Sequence, residues 1–169
     1  FIRQIPRDDE IGLLGCDQRG ADGFECDVRL SRDGQIVCFH DATTKRITGK
    51  RLRISRTNLR ELQGIHEVLT LDELLDLAIF AKKDLLIETK HPNIFGGRIE
   101  RDVLELLNAK STEIRGAGIE VIVMSFSMTA ASETAEPGHT LIELPVFAAV
   151  IASSRFERPA RRWTYSCLT

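Results

Sequence analysis

The residues best suited to catalysis or metal binding lie in a short segment near the start of the chain. Segment 22–41 reads DGFECDVRLSRDGQIVCFHD, with Glu25 and Asp27 two positions apart and His40 close to its end. Carboxylate oxygens at such spacing suit a hard divalent cation such as Mg²⁺ or Ca²⁺. An imidazole beside them suits proton transfer. These residues could therefore form a cation site with a general acid, provided that the fold brings them together.

The element predicted to bring them together is a β-hairpin. The dipeptide Asp-Gly at 33–34 is a strong hairpin signal. A symmetric loop centred on it places His40 across from Asp27, and Val28 across from Phe39. Because side chains alternate along a strand, two faces follow. The charged face collects Glu25, Asp27, Arg29 and His40, and the apolar face collects Phe24, Val28, Leu30, Val37 and Phe39. A hairpin with one solvated charged face and no site is the alternative that the spacing leaves open.

A second strand of the same kind is predicted at 85–92, which reads LLIETKHP. Glu88 and Lys90 share one face of this strand, and His91 falls on the other. Charged groups on an otherwise apolar strand are costly to bury unless they are paired or bound to something. A site is therefore one interpretation, and an edge strand with a surface salt bridge is the other.

The elements around these strands indicate an α/β architecture. Helix signals occur at 55–63, 70–78 and 98–110, and a β-rich run occurs at 119–127. The alternation of strands and helices predicts a mostly parallel sheet. We expect one domain over 1–169. Its ends, 1–19 and 128–169, lack a clear pattern, and the basic tail has no periodicity.

Composition narrows the functional classes. The chain has 169 residues, is 43% hydrophobic and carries a net charge of -2. This charge gives no electrostatic reason to expect nucleic acid as a partner. The sequence contains no apolar run long enough to span a membrane. The four cysteines lack CxxC spacing, which favours free thiols and a reducing, cytoplasmic compartment. In the predicted hairpin, Cys26 and Cys38 point to opposite faces.

The motifs together resemble a known family. An E-x-D strand, a D-G turn, an H-D pair and a later E-x-K strand follow one another between about Gly20 and Ser127. This order resembles the glycerophosphodiester phosphodiesterase family. The resemblance implies a TIM-barrel (β/α)8 fold with its active site at the carboxyl ends of the strands. It also implies hydrolysis of a glycerophosphodiester to glycerol 3-phosphate and an alcohol, with a divalent cation, Mg²⁺ or Ca²⁺, as cofactor.

The resemblance also assigns roles to the residues that match its motifs. Glu25 and Asp27 match the first two metal ligands, and Glu88 matches the third. His40 matches the histidine that protonates the leaving alcohol. Lys90 matches a lysine that faces the phosphate. The small-molecule diester is therefore the partner that the resemblance implies.

The sequence departs from the family pattern in two respects. The family opens with a strand carrying His-Arg-Gly, whereas Gln18 stands where that histidine would be. An eight-stranded barrel usually needs about 250 residues, so we expect an incomplete barrel, truncated at both ends. Unpaired sheet edges would then favour self-association. These departures leave open a second interpretation, in which a family remnant binds a cation or a partner without turnover.

Overall fold

The computed structural model describes residues 23–91 and 94–125 in full, and the backbone of three later strands. Its strands are β1 (Gly23–Leu30), β2 (Ile36–Cys38), β3 (Asp84–Thr89), β4 (Val121–Ser125), β5 (Thr140–Leu144), β6 (Ala148–Ala152) and β7 (Tyr165–Cys167). Its helices are α1 (Lys45–Thr48), α2 (Leu59–Gln63), α3 (Leu71–Ala81), α4 (Arg98–Ala109) and α5 (Ser111–Ala117). A single 3-10 turn, Ile54–Arg56, precedes α2.

The strands form one mixed sheet in the order β2-β1-β3-β4-β6-β5. Neighbours β1, β3 and β4 run parallel, as the alternation of elements predicts. Strand β6 runs antiparallel to both β4 and β5, so the later part of the sheet departs from the predicted parallel arrangement. The short strand β7 pairs in parallel with the start of β1. The pattern of the basic tail does not predict this strand.

The main hydrophobic core lies between the sheet and its helices. Alternate residues of β1, β3 and β4 point into it and meet the apolar faces of α3, α4 and α5. Their neighbours in sequence point to the opposite face, which carries Glu25, Asp27 and Glu88. Gly23 permits the close approach of β1 to β3, because a Cβ there would lie 2.6 Å from the main-chain oxygen of Asp84.

The hairpin exists, but its predicted register is wrong by one residue. Strand β1 pairs with β2 so that Val28 lies opposite Cys38. The connecting loop is not symmetric about the Asp-Gly dipeptide: the Ser31 amide donates to the Gln35 carbonyl, and Gly34 has a φ of 78°. A one-residue change of register moves a side chain to the other face of a sheet. Val37 and Phe39 therefore leave the face of Val28 and fill a second core cluster instead.

The same shift corrects the prediction for the cysteines. Cys26 and Cys38 are both free thiols, as predicted, but they lie in the same core rather than on opposite faces. The adjacent Cys38 thiol, burial and the nearby Glu25 and Asp27 carboxylates raise the pKa of Cys26. A raised pKa keeps the thiol protonated and unreactive at neutral pH.

One predicted helix start is confirmed, and another lies later in the chain than predicted. Thr70 caps α3 as predicted, and its hydroxyl accepts a hydrogen bond from the Glu73 amide in a capping box. The helix predicted from position 55 instead begins later, because Asn58 provides the capping box of α2. In the described part of the chain, no helix has the length and apolar character needed to cross a bilayer. The predicted end segments, 1–19 and 128–169, lie outside the described residues except for the backbone of β5, β6 and β7.

Candidate active site

Three carboxylates meet on the face of the sheet opposite the main hydrophobic core. Glu25 and Asp27 come from β1, and the parallel register places Glu88 of β3 directly beside Asp27. One oxygen from each of the three residues lies within 4.8 Å of the other two. Asp27 is buried, whereas both glutamates are half-buried. The structure thus brings together the three residues that the family resemblance assigns as metal ligands.

Lys90 supplies the positive charge for this acidic cluster. Its Nζ lies 2.8 Å from Asp27 Oδ1 and 2.5 Å from Glu88 Oε1. Burial alone would lower the pKa of Lys90, but the hydrogen bonds to these two carboxylates outweigh it, so the pKa is raised above 10.5. The lysine therefore stays protonated at neutral pH and offsets part of the negative charge.

One oxygen of the cluster has the surroundings expected of a cation ligand. Asp27 Oδ2 is buried and has no hydrogen-bond partner among the described residues. A buried carboxylate oxygen left without a donor is costly. Oxygen ligands of this kind are those that Mg²⁺ and Ca²⁺ select. The donor set and the unpartnered oxygen therefore fit a hard divalent cation.

His40 does not lie where the hairpin prediction placed it. Because β2 ends at Cys38, His40 falls in the following loop instead of across from Asp27. Its side chain is 46% exposed, and its Nδ1 lies 2.8 Å from Asp41 Oδ1. Arg46 Nε donates to the other oxygen of Asp41 at 2.7 Å. The hydrogen bonds from Arg46 and His40 hold the pKa of Asp41 below its ordinary value of 3.8.

Arg29 connects the acidic face to the histidine loop. Its Nε and Nη2 both donate to the main-chain oxygen of His40, at 3.0 and 2.9 Å. Burial lowers the pKa of Arg29, although nearby carboxylates, Asp27 first among them, act in the opposite direction. The two hydrogen bonds fix the backbone of His40 relative to β1. The sequence places Arg29 on the correct face but does not predict this contact.

A second polar cluster, which sequence reasoning missed, lies behind the first on the helix side of the sheet. Thr89, His91 and Ser125 all contact one oxygen of Glu100, a residue of α4 whose side chain is fully buried. A signal existed in the sequence. Glu100 stands at helical spacing from Val103 and Leu107, so a carboxylate occupies the apolar stripe of the helix.

The fold and the site together define a class of protein. It is an α/β protein whose sheet carries an acidic cluster on one face and, on the other, the main hydrophobic core covered by α3, α4 and α5. Residues 17–160 match the glycerophosphoryl diester phosphodiesterase family. Since this match covers most of the chain, the protein belongs to the glycerophosphoryl diester phosphodiesterase family, as its motifs predict.

Named relatives agree with this assignment. The chain is 37% identical over 134 residues to a Mycobacterium tuberculosis protein named "Probable glycerophosphodiester phosphodiesterase 1", covering 67% of this chain and 49% of the relative. It is 27% identical over 139 residues to a glycerophosphodiester phosphodiesterase of Caldanaerobacter subterraneus subsp. tengcongensis, covering 74% of this chain and 54% of the relative. The chain thus spans about half the length of the curated relatives that it matches.

Solved structures show the same fold. A glycerophosphodiester phosphodiesterase from Thermotoga maritima aligns with a TM-score of 0.57 and 27% identity, covering 72% of this chain and 48% of that one. A phosphodiesterase from Oleispira antarctica, solved in complex with the product sn-glycerol-3-phosphate, aligns with a TM-score of 0.52 and 25% identity, covering 71% of this chain and 52% of that one. These neighbours are TIM-barrel enzymes, and the mixed sheet described here corresponds to part of such a barrel.

Proposed function

We propose that this chain carries the cation-binding part of a glycerophosphodiester phosphodiesterase, which hydrolyses a glycerophosphodiester to glycerol 3-phosphate and an alcohol. One observation carries the proposal: in a member of this family, three carboxylates converge around a buried oxygen of Asp27 that has no donor among the described residues. The product bound to the Oleispira antarctica relative supports the choice of substrate.

Glu25, Asp27 and Glu88 would hold the cation. When bound, Mg²⁺ or Ca²⁺ would neutralise charge on the phosphate and lower the pKa of a hydroxyl or water that attacks it. Glu25 and Asp27 share one face of β1, and Glu88 lies beside Asp27 on β3. All three ligands therefore come from paired strands, and a site built on such strands is held more rigidly than one built on loops.

Lys90 and His40 would act on the substrate itself. The Lys90 ammonium provides a compact positive charge to stabilise the charge that develops on the phosphate oxygens. Nδ1 of His40 would donate a hydrogen bond to Asp41, so Nε2 of the protonated imidazole would give its proton to the departing alcohol oxygen and leave a neutral ring. Arg29 keeps the backbone of His40 at a fixed distance from β1. These roles remain assignments from the family motif that the contacts support.

Hydrolysis of glycerophosphocholine, with Mg²⁺ or Ca²⁺ added, tests the proposal. We expect turnover by the wild-type chain and a loss of about 10²–10⁴-fold in the His40→Ala variant, since that is the usual contribution of a general acid. His66→Ala is the matched control, because His66 is a half-buried loop histidine that belongs neither to the acidic cluster nor to the motifs of the family. Equal rates for His40→Ala and wild type would contradict the assigned role of His40.

A second candidate function is cation binding without turnover. The residues before β1 read Gln18-Arg19-Gly20, without the histidine of the family motif. Since members of a catalytic set act as a unit, the loss of one commonly costs several orders of magnitude in rate. Cation binding by a chain that releases no choline would favour this candidate.

The cytoplasm is the compartment that we propose in either case, in keeping with the free thiols of Cys26 and Cys38.

A further inference from the structure

The second polar cluster joins four parts of the fold at a single oxygen. Glu100 Oε1 accepts hydrogen bonds from Thr89 Oγ1 at 2.8 Å and from Ser125 Oγ at 3.1 Å. His91 Nε2 lies 2.6 Å from the same oxygen. Thr89 ends β3, His91 follows it, and Ser125 ends β4, whereas Glu100 lies in the first turn of α4. We call these four residues the Glu100 brace.

The buried carboxylate of the brace lowers the stability of the folded state. Glu100 is fully buried, and its Oε2 has no hydrogen-bond partner among the residues that the structure describes. Removing a carboxylate from water carries a large desolvation penalty, which its hydrogen bonds only partly offset. An apolar residue at this position of the helix stripe would fill the space without that cost. The carboxylate therefore calls for an explanation other than stability.

The brace is not itself a second catalytic centre. Ser125 Oγ lies 3.4 Å from His91 Nε2, which resembles a serine–histidine–acid set at first sight. In such a set, however, the serine and the acid engage different nitrogens of the imidazole. Here Ser125 and Glu100 both meet Nε2. Because one nitrogen cannot hold a proton for the acid and accept one from the serine, these residues cannot activate a nucleophile.

The brace and the acidic cluster are connected through β3, because consecutive residues of this strand belong to one and to the other. Thr89 stands between Glu88 and Lys90 in sequence and points to the opposite face of β3. In the sheet it lies beside Ser125, its register partner in β4. Immediately beyond it, the Lys90 amide donates to the Val28 carbonyl at 3.1 Å, which keeps β3 paired with β1. Anchoring Thr89 thus fixes the pleat that directs Glu88 and Lys90 towards Asp27.

We propose that Glu100 is a positioning residue, which through Thr89, His91 and Ser125 holds the end of β3 so that Glu88 and Lys90 keep their distances to Asp27. The inference rests on the cation site of the proposed function. Ligand groups depend on supporting contacts in this way because a displacement of about 1 Å is enough to degrade a site.

Two measurements on the full chain test the brace. The first is amide hydrogen exchange at Lys90. The Phe39 amide is the internal reference, because it donates to the main-chain carbonyl of Asp27 at 2.8 Å on the other edge of β1. The second is the dissociation constant for Ca²⁺ from calorimetry. The variants are Glu100→Ala, which removes the acceptor, and Glu100→Gln, which keeps it. Glu105→Ala is the matched control, because Glu105 is an exposed glutamate of the same helix.

We expect Glu100→Ala to speed exchange at Lys90 but not at Phe39, and to weaken Ca²⁺ binding by about tenfold, the usual cost of losing a supporting contact. Glu100→Gln should recover most of both losses, and Glu105→Ala should cause neither. If Glu100→Ala does not fold, Thr89→Val decides, because it removes one donor and keeps the branched shape. Unchanged exchange at Lys90 with unchanged Ca²⁺ affinity would overturn the inference. Absence of Ca²⁺ binding in the wild type would instead refute the proposed cation site. The exchange rate of the Lys90 amide in Glu100→Ala would still test whether Glu100 holds the end of β3.

Discussion

Lys90 is the residue on which the charge balance of the acidic cluster depends. Its ammonium contacts Asp27 and Glu88, and no cation is needed for that pairing. The raised pKa of Lys90 adds stability that is fully present below its ordinary value of 10.5 and is lost as the pH rises through the higher folded value. At neutral pH the lysine therefore acts as a permanent counter-ion to carboxylates that would otherwise repel one another.

Replacing Lys90 by methionine should separate the stabilising effect of the Lys90 ammonium from that of a bound Ca²⁺. Without the ammonium, we expect the free energy of unfolding in chelator to fall by about 1–3 kcal/mol, because hydrogen bonds to charged groups contribute on that scale. Saturating Ca²⁺ should then raise the unfolding midpoint more than it does in the wild type, since the cation relieves a greater repulsion. Thermal unfolding with and without Ca²⁺ measures both effects. Lys45→Met, at an exposed position, is the control, and a smaller Ca²⁺ shift in Lys90→Met than in the wild type would contradict the account.

Arg46 should make stability depend on pH through Asp41. The pKa of Asp41 is lowered by its hydrogen bonds to Arg46 and His40, so the stability that it contributes is present above 3.8 and is lost as the pH falls through the lower folded value. Arg46→Gln should therefore be less stable than wild type at neutral pH, and the difference should shrink below pH 3.8. Urea denaturation at several pH values measures this difference. A gap between the two proteins that does not change with pH would exclude the electrostatic cause.

The secondary-structure elements explain why the sequence predicts the acidic cluster but misplaces His40. Alternation along a strand, which is a local pattern, places Glu25 and Asp27 on one face of β1. The family resemblance predicts that Glu88 joins them, and the parallel pairing of β1 with β3 brings the three together. The position of His40 depends instead on the register of a hairpin. That register is decided by the Ser31–Gln35 contact and by the bond from the Leu59 amide to the Asp33 carboxylate. The second of these contacts comes from a helix distant in sequence, which no local pattern reveals.

For Glu100, the local sequence pattern predicts burial but not the hydrogen-bond partners. A helical stripe tells which face of α4 is buried, and it places Glu100 on that face. The stripe does not tell which donors will meet the carboxylate there. Thr89 and Ser125 reach it only because β3 and β4 pair in parallel and end together. The partners of a buried polar group are therefore set by the assembled sheet.

Gly34 is the position at which the hairpin loop should be most sensitive to substitution. Its φ of 78° lies in the left-handed region, and a Cβ there would lie 2.7 Å from Arg98 Nη2. We expect Gly34→Ala to lower the free energy of unfolding by about 1–2 kcal/mol, the cost of that backbone region for a residue with a Cβ. Gly116→Ala is the matched control, because Gly116 lies in helix α5 with open space around it and should gain about 0.5–1 kcal/mol. Urea denaturation decides, and equal stability for both variants would contradict this account of the turn.

At the scale of the whole molecule, the chain is part of a barrel of the glycerophosphoryl diester phosphodiesterase family. The TIM-barrel relationship is confirmed by the solved relatives, which this chain matches over about half of their length. The antiparallel direction of β6 and the pairing of β7 with β1 could not be predicted, because contacts between distant parts of the chain decide them. Self-association through sheet edges stays a prediction of the sequence.

The central claim is that Asp27, with Glu25 and Glu88, binds a divalent cation. Isothermal titration of the wild-type chain with Ca²⁺ and with Mg²⁺ tests it most directly, alongside Asp27→Asn and the exposed control Glu105→Gln. We expect the wild type and the control each to bind a single ion. We expect Asp27→Asn to bind it at least about tenfold more weakly, since loss of a supporting contact alone can have that effect. Absence of binding in the wild type, or equal affinity in Asp27→Asn, would contradict the account.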